Sequence, residues 1–170
     1  MEKTTTGSTF SFHWGYIILP VVIFLLSVIL TAFFYHRLPV EVAYRFQADG
    51  SPDKWLSRSA IVLWMLIPQL ILTLLTGAIT WGMAKLSDRF IQPESAGIKL
   101  ERIILLMGNI IALPQIIVFF AMLDIFSYNS YQIHLLPLWV FALIVMAVGG
   151  IILGIFFLQT LWQVWLASKE

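Results

Sequence analysis

Leu38 to Trp55 reads LPVEVAYRFQADGSPDKW. It is the longest polar interruption in a chain that is otherwise mostly lipid-soluble. It carries Glu41, Arg45, Asp49, Asp53 and Lys54, with Arg37 on its flank. The apolar runs on either side are each long enough to cross a bilayer, which takes about 20 residues as a helix. Two spans therefore enclose this stretch and hold it at one face of a membrane.

The rest of the composition agrees. Of 170 residues, 60% are hydrophobic and 11% charged, whereas a soluble domain carries roughly a quarter charged residues. Mean hydropathy is +0.92. The pattern predicts an all-α, integral membrane four-helix bundle. One structured extracytoplasmic loop connects its first two helices. The spans run from about Gly15 to Tyr35, Ser59 to Ala84, Arg102 to Phe126 and Leu135 to Ala167, within a single membrane domain. Net charge is +1, and no basic face dense enough for nucleic acid exists. The absence of cysteine excludes disulfides, thiolate metal sites and cysteine nucleophiles.

Met1 to Phe12 is a Thr/Ser/Gly-rich tail and is expected to be disordered. The first apolar run exceeds a signal-peptide core and no cleavage site follows it, so it is expected to remain as a span. Trp14, Tyr16, Trp64 and Trp81 suit interfacial belts, while Trp139, Trp162 and Trp165 suggest that the long last span tilts or extends into the cytoplasm. Orientation is set by Lys and Arg. With the N-terminus inside, Lys3, Lys85, Arg89, Lys99, Arg102 and Lys169 lie inside, while Arg37, Arg45, Lys54 and Arg58 lie outside. The expected location is the cell (inner) membrane, multi-pass, with both termini cytoplasmic.

Few side chains offer chemistry. Two Pro-Gln steps recur, Ile67-Pro68-Gln69-Leu70-Ile71 and Leu113-Pro114-Gln115-Ile116-Ile117. Counted at 1.5 Å per residue, they reach nearly the same depth. Gln69 and Gln115 are thus placed to face each other, either as glue between kinked helices or as the lining of a polar cleft. Asn109 is a third polar side chain at depth. Asp124 is the one carboxylate inside a predicted span. It is read as a boundary residue paired with His36, Arg37, Arg45 or His134, or else as part of an ion relay. His36 and His134 match no metal-ligand spacing, so no metal and no cofactor is expected. Gly150 and Gly154 form a GxxxG step that lets helices approach closely, within the chain or between copies. No nucleophile–base pair, phosphate loop or catalytic carboxylate pair can be assembled, so no catalytic residue is assigned and the chain is not read as an enzyme.

Inside the loop, Val40, Val42, Tyr44 and Phe46 alternate with Glu41, Ala43, Arg45 and Gln47. A period of two predicts an extended segment with one apolar side. Asp49-Gly50 is a turn pair. Ser51-Pro52-Asp53 is expected to cap a helical turn carrying Trp55, with Pro52 in its first position.

Leu38-Pro39, Val42-Ala43-Tyr44-Arg45-Phe46 and Asp49-Gly50-Ser51-Pro52-Asp53-Lys54-Trp55 together resemble the signature of a bacterial membrane family of unknown function. Its pattern is LP, then HF, a spacer and GxPDxW. The same domain opens the SdpI-type immunity and signalling proteins. With its flanking spans the resemblance covers roughly Tyr16 to Leu75. Here Arg45 stands where the family has histidine, and Ala43 where it has a second proline. The resemblance implies an integral protein that protects against, or senses, a toxin or envelope stress from outside. Glu41, Arg45, Asp49, Asp53 and Trp55 are then the residues expected to meet an extracellular peptide or protein. An accessory or structural subunit of a larger membrane complex, a homo-oligomer and a small transporter are the competing readings. The lipid bilayer is the one partner common to all of them.

Overall fold

The computed structural model describes residues 15, 17–47, 50–90, 106 and 108–167. The elements are α1 (Ile18–Tyr35), β1 (Glu41–Phe46), β2 (Pro52–Ser57), α2 (Arg58–Phe90), α3 (Ala112–Tyr131) and α4 (Leu138–Ala167). Among the described residues, four helical stretches are long and apolar enough to cross a membrane: Ile18–Tyr35, Arg58–Met83, Gly108–Tyr131 and Leu138–Gln159. They mark a multi-pass membrane protein. The first span starts at Ile18 rather than Gly15. The expected beginning of the third, at Arg102, lies outside the described residues, as do the Met1–Phe12 tail, Trp14 and Tyr16.

Departures from the expected boundaries have local causes. The regular part of α3 begins at Ala112, after a turn at Ile111. Pro114 explains the turn, because its ring conflicts with the carbonyl four residues back, that of Ile110. At its other end α3 runs on through Ser127–Tyr131, a segment expected to be a connection. It stops where Gln132 adopts a left-handed conformation (φ 58°) and donates its N–H to Tyr128 O at 2.7 Å. Residues 133–137 then carry no regular structure, with a bend at Leu136, and the residue before a proline avoids the helical region. Hence α4 starts at Leu138 rather than Leu135. The second helix continues through Lys85 to Phe90, a stretch with no glycine or proline to stop it.

The first three helices pack on one another, and α4 lies against α3. The buried stripe of α1 is Pro20, Ile23, Ser27, Thr31 and Phe34, the spacing of one helical face. Its hydroxyls bond within the helix, Ser27 Oγ to Ile23 O and Thr31 Oγ1 to Ser27 O, both at 2.9 Å. Thr76 and Thr80 of α2 do the same. Buried polar groups are thereby satisfied without a partner helix, and small side chains let the helices come close.

The α3–α4 contact differs from the sequence reading. Gly149, rather than Gly150 or Gly154, is the close-approach residue. A Cβ added at Gly149 would lie 2.6 Å from Leu113 Cδ1, while Gly150 and Gly154 meet nothing within 4 Å. Phe120 and Phe141 stack across the same contact with centroids 3.8 Å apart. Replacing Gly149 by leucine should therefore destabilise the protein by about 1–3 kcal/mol through overpacking. The same change at Gly150 should cost nothing measurable within a monomer. Reversible unfolding of both variants in mixed micelles checks this.

The loop is a two-stranded antiparallel hairpin, β1 with β2, so the chain is not all-α. No helical turn carries Trp55; Pro52–Ser57 is strand. The tight end closes with Gln47 N–H to Ser51 O at 2.8 Å and Gly50 N–H to Gln47 O at 3.0 Å. Gly50 holds φ +82°, a conformation glycine alone adopts without strain. The register slips between Ala43 and Arg45 and again between Arg45 and Phe46. That bulge breaks the simple alternation. Val42 and Ala43 are both buried, while Tyr44 and Val40 are exposed.

Candidate functional site: a docked hairpin

The hairpin is fixed to the helices from below and from the side. Val42, fully buried, enters a cluster with Phe34, Leu38, Ile61, Met122, Ile125 and Phe126. This cluster joins the end of α1, the start of α2 and the end of α3. From the side, Asn129 of α3 clamps the backbone of Ala43. The Ala43 N–H donates to Asn129 Oδ1 at 2.8 Å, and Asn129 Nδ2 donates to Ala43 O at 2.8 Å. One amide side chain thus imitates a neighbouring strand. Asn129 Nδ2 also donates to Ile125 O at 2.8 Å, which fixes its rotamer.

Arginines secure the hairpin's base. Arg58, at the β2–α2 junction, donates through Nη1 to Tyr35 O and Leu38 O, each at 3.2 Å. Its guanidinium lies 4.8 Å from the Tyr35 ring centroid. It therefore satisfies two carbonyls at and just beyond the C-terminal end of α1 while favouring the negative end of the helix dipole. Arg37 donates to the Tyr131 hydroxyl at 2.6 Å and sits 4.2 Å from the Phe33 ring centroid.

The connection between α3 and α4 closes the other flank. Phe46 of β1, Tyr128 of α3 and His134 form an aromatic triad. Phe46 meets both others edge-on, at 4.6 and 4.5 Å, and Tyr128 stacks on His134 at 4.4 Å. Asp124 holds this group in place. Its Oδ2 lies 3.3 Å from His134 Nδ1, and its Oδ1 accepts the Leu135 N–H at 2.8 Å. Of the four neighbours the sequence allowed for Asp124, His134 is the one it meets.

The remaining site residues sort by position. Glu41 is exposed at the start of β1, opposite Ser57. Arg45 Nε and Asp53 Oδ2 are 3.3 Å apart on the exposed surface, an ion pair of small energetic weight. Trp55 is 53% exposed. Asp49 lies outside the described residues. Asn109 donates to Gly15 O at 3.4 Å near the opposite end of the helices and takes no part in the hairpin. Sequence reasoning missed Asn129, Tyr128 and Tyr131, which lie in a segment that carried no pattern of its own; it allowed His134 only as a neighbour of Asp124 and Phe46 only as part of an extended segment.

Gln69 and Gln115 do meet. Gln69 Nε2 donates to Gln115 O and Gln115 Nε2 to Gln69 O, both at 3.1 Å, and Gln115 Nε2 also reaches Thr73 Oγ1 at 2.8 Å. Both side chains are fully buried, and both Oε1 atoms lack a partner. The arrangement is a reciprocal clasp between α2 and α3. Changing either glutamine alone to leucine should cost about 1 kcal/mol, and changing both should cost less than the sum. The double change removes the two unpartnered oxygens together with the clasp. A double-mutant cycle on unfolding free energy measures the coupling.

The hairpin also lies at the centre of a family likeness. Residues 22–67 match a family model described as a domain of unknown function, DUF1648. The match spans most of α1, the hairpin and the first turns of α2. It stops short of Asn129, Tyr128, Asp124 and His134, so the surroundings that hold the hairpin lie in the unmatched part. No curated protein and no solved structure matches the chain.

Proposed function

We propose that this chain is a membrane-embedded receptor of the immunity or envelope-signal kind, whose hairpin meets an extracellular peptide or protein. The observation that carries the reading is the contrast between the hairpin's two sides. One side is locked by Val42 in the core and by Asn129 on Ala43. The other offers Trp55, Lys54 and the Arg45–Asp53 pair to water. A plain connector needs neither the lock nor an exposed tryptophan on a rigid strand, whereas a recognition surface gains from both. The resemblance of the hairpin to the SdpI-type loop supports the same reading. The excess of Lys and Arg at the other ends of the spans favours a hairpin outside the cell membrane, with both termini in the cytoplasm.

The test uses a bacterial host expressing the full chain, challenged with a panel of secreted membrane-active peptides. Tolerance to at least one peptide should rise, and Trp55→Ala and Arg45→Ala together should abolish the gain without lowering membrane abundance. Unchanged tolerance across the panel would count against the reading.

A second reading, an accessory subunit or homo-oligomer, draws on one observation. The α4 face bearing Gly150 and Gly154 is open. Native mass measurement in nanodiscs separates the two, since the receptor reading does not require a stable complex in the resting state.

A further inference from the structure

The hairpin has two edges, and they are treated differently. In an antiparallel pair, positions alternate between those whose main-chain groups bond across the pair and those whose groups point away. The Arg58 N–H donates to Val40 O at 2.9 Å, so Glu41–Ser57 is a pair whose own groups point away. Val42–Leu56 is then the bonded pair, and at Ala43–Trp55 the groups point away again. The count has an independent check. The Ala43 N–H and C=O, outward by this parity, are the two groups that Asn129 takes up.

The same parity turns the Trp55 N–H and C=O to the opposite edge, followed by the Ser57 N–H. Among the described residues no group bonds them. Trp55 and Ser57 are exposed. Proteins normally blunt such an edge by covering it, by charge, by proline or by a bulge. Here β1 is covered by Asn129. On β2, Pro52 removes a donor at one end, and α2 begins at Arg58 at the other. The stretch left open is short, with main-chain donors and acceptors at strand spacing and an indole alongside.

We propose that the Trp55–Ser57 edge of β2 takes up an extended peptide segment as a third strand. This rests on the receptor reading above and specifies its ligand: an unfolded or extended stretch of a secreted polypeptide, recognised through its backbone and steadied by Trp55. Strand addition of this kind draws affinity from main-chain hydrogen bonds and selectivity from alternate side chains. Because β1 is occupied, the sheet grows in one direction only. The flanking charges have both signs, Asp53 and Lys54 on the strand and Arg45 beside it, so the backbone rather than net charge dominates recognition.

The experiment uses the full chain in phosphatidylethanolamine/phosphatidylglycerol nanodiscs and, as probe, a peptide selected on it from a random phage-displayed library. On binding, amide exchange of Trp55 and Ser57 should slow by about tenfold or more, while Val42 and Leu56 stay as slow as before. Trp55→Pro removes an outward N–H and no ladder bond, and should weaken binding by about tenfold, whereas Trp55→Phe should stay within about threefold. Retained slow exchange at Val42 and Leu56 confirms that the proline variant keeps its hairpin, and the wild-type exchange result stands whether or not it does. If the proline variant binds like wild type, strand addition is overturned and the receptor reading survives on side-chain contacts. If no peptide is selected, the receptor reading fails and this inference with it. A Trp55 amide already protected in the free protein, with two copies per nanodisc, would show the edge taken by a second copy and would also overturn the proposal.

Discussion

Phe126→Ala is expected to destabilise the protein by about 3–5 kcal/mol, the largest effect expected of a single truncation in this chain. Phe126 is fully buried at the meeting point of α1, α2, α3 and β1. Its ring lies 5.9 Å from that of Phe34, and Val42 of the hairpin joins the same cluster. Position matters to the magnitude. Deeper between spans, lipid tails are as apolar as the side chains, and burying an apolar group gains little from leaving water. Phe126 instead sits under the hairpin, in the last turns of α3, where the alternative to packing is exposure at the water boundary. The ordinary arithmetic of transfer plus cavity therefore applies. The loss should fall on the hairpin first. Amides of Val42 and Leu56 should lose protection at denaturant levels that leave the centre of α1 intact. Equal loss along α1 and the hairpin would mean that the cluster holds the whole molecule rather than its cap.

The helices are legible in the sequence because hydropathy in a membrane chain is nearly a direct readout of structure. Their ends are less so. Pro114 and Pro137 reset two starts through steric effects on the residues before them, and these act locally whatever the hydropathy. The loop is legible in its turn, where Asp49-Gly50 marks a reversal and Gly50 takes a positive φ. The pattern misleads at Pro52. A proline after serine fits the first turn of a helix, but it fits equally the first residue of an edge strand. Pairing with β1 decides between them, and that is a tertiary fact. The meeting of Gln69 and Gln115 can be reached by counting residues along two helices. Asn129 cannot be reached at all, since an asparagine in SYNSYQ looks like any polar helix end. Within the chain the GxxxG motif points at the right helix, but the glycine that meets α3 is its neighbour Gly149. Which of three small residues faces α3 depends on the rotation of α4, and composition is silent on that.

These observations also divide the chain by role. The segment resembling the known family supplies the hairpin, and α3 with the connection after it supplies the clamp. Arg45 lies on the exposed side with Asp53 and is no part of the clamp. The imidazole that packs against the hairpin is His134, which meets Phe46, the residue next to Arg45 in sequence.

Asn129→Ala should release the hairpin from α3 while leaving the four spans in place. The amide side chain satisfies both main-chain groups of Ala43, and Ala43 is buried. Truncation strands a buried N–H and a buried C=O. Each stranded group costs about 1–3 kcal/mol, so a total of about 2–6 kcal/mol is expected if nothing moves. The hairpin can lower that cost by lifting its bulge into water, and it should do so, because the alternative is two unpaired groups in a dry contact. The predicted signature is therefore local. Ala43 should exchange its amide proton rapidly, and Trp55 fluorescence should become more quenchable. Unfolding of the helices should shift by much less than the Phe126 variant shows. Asn129→Asp is the discriminating partner. It keeps an acceptor for the Ala43 N–H but sets a carboxylate against the Ala43 carbonyl, so it should retain part of the protection at Ala43 and none of the second bond. If Asn129→Asp restored wild-type behaviour, the donated bond to Ala43 O would be dispensable and the strand-like clamp would be the wrong description. If Asn129→Ala left Ala43 protected, Val42, the aromatic triad and the Arg58 contacts would suffice to hold the hairpin, and recognition through a fixed edge would not depend on the Asn129 clamp.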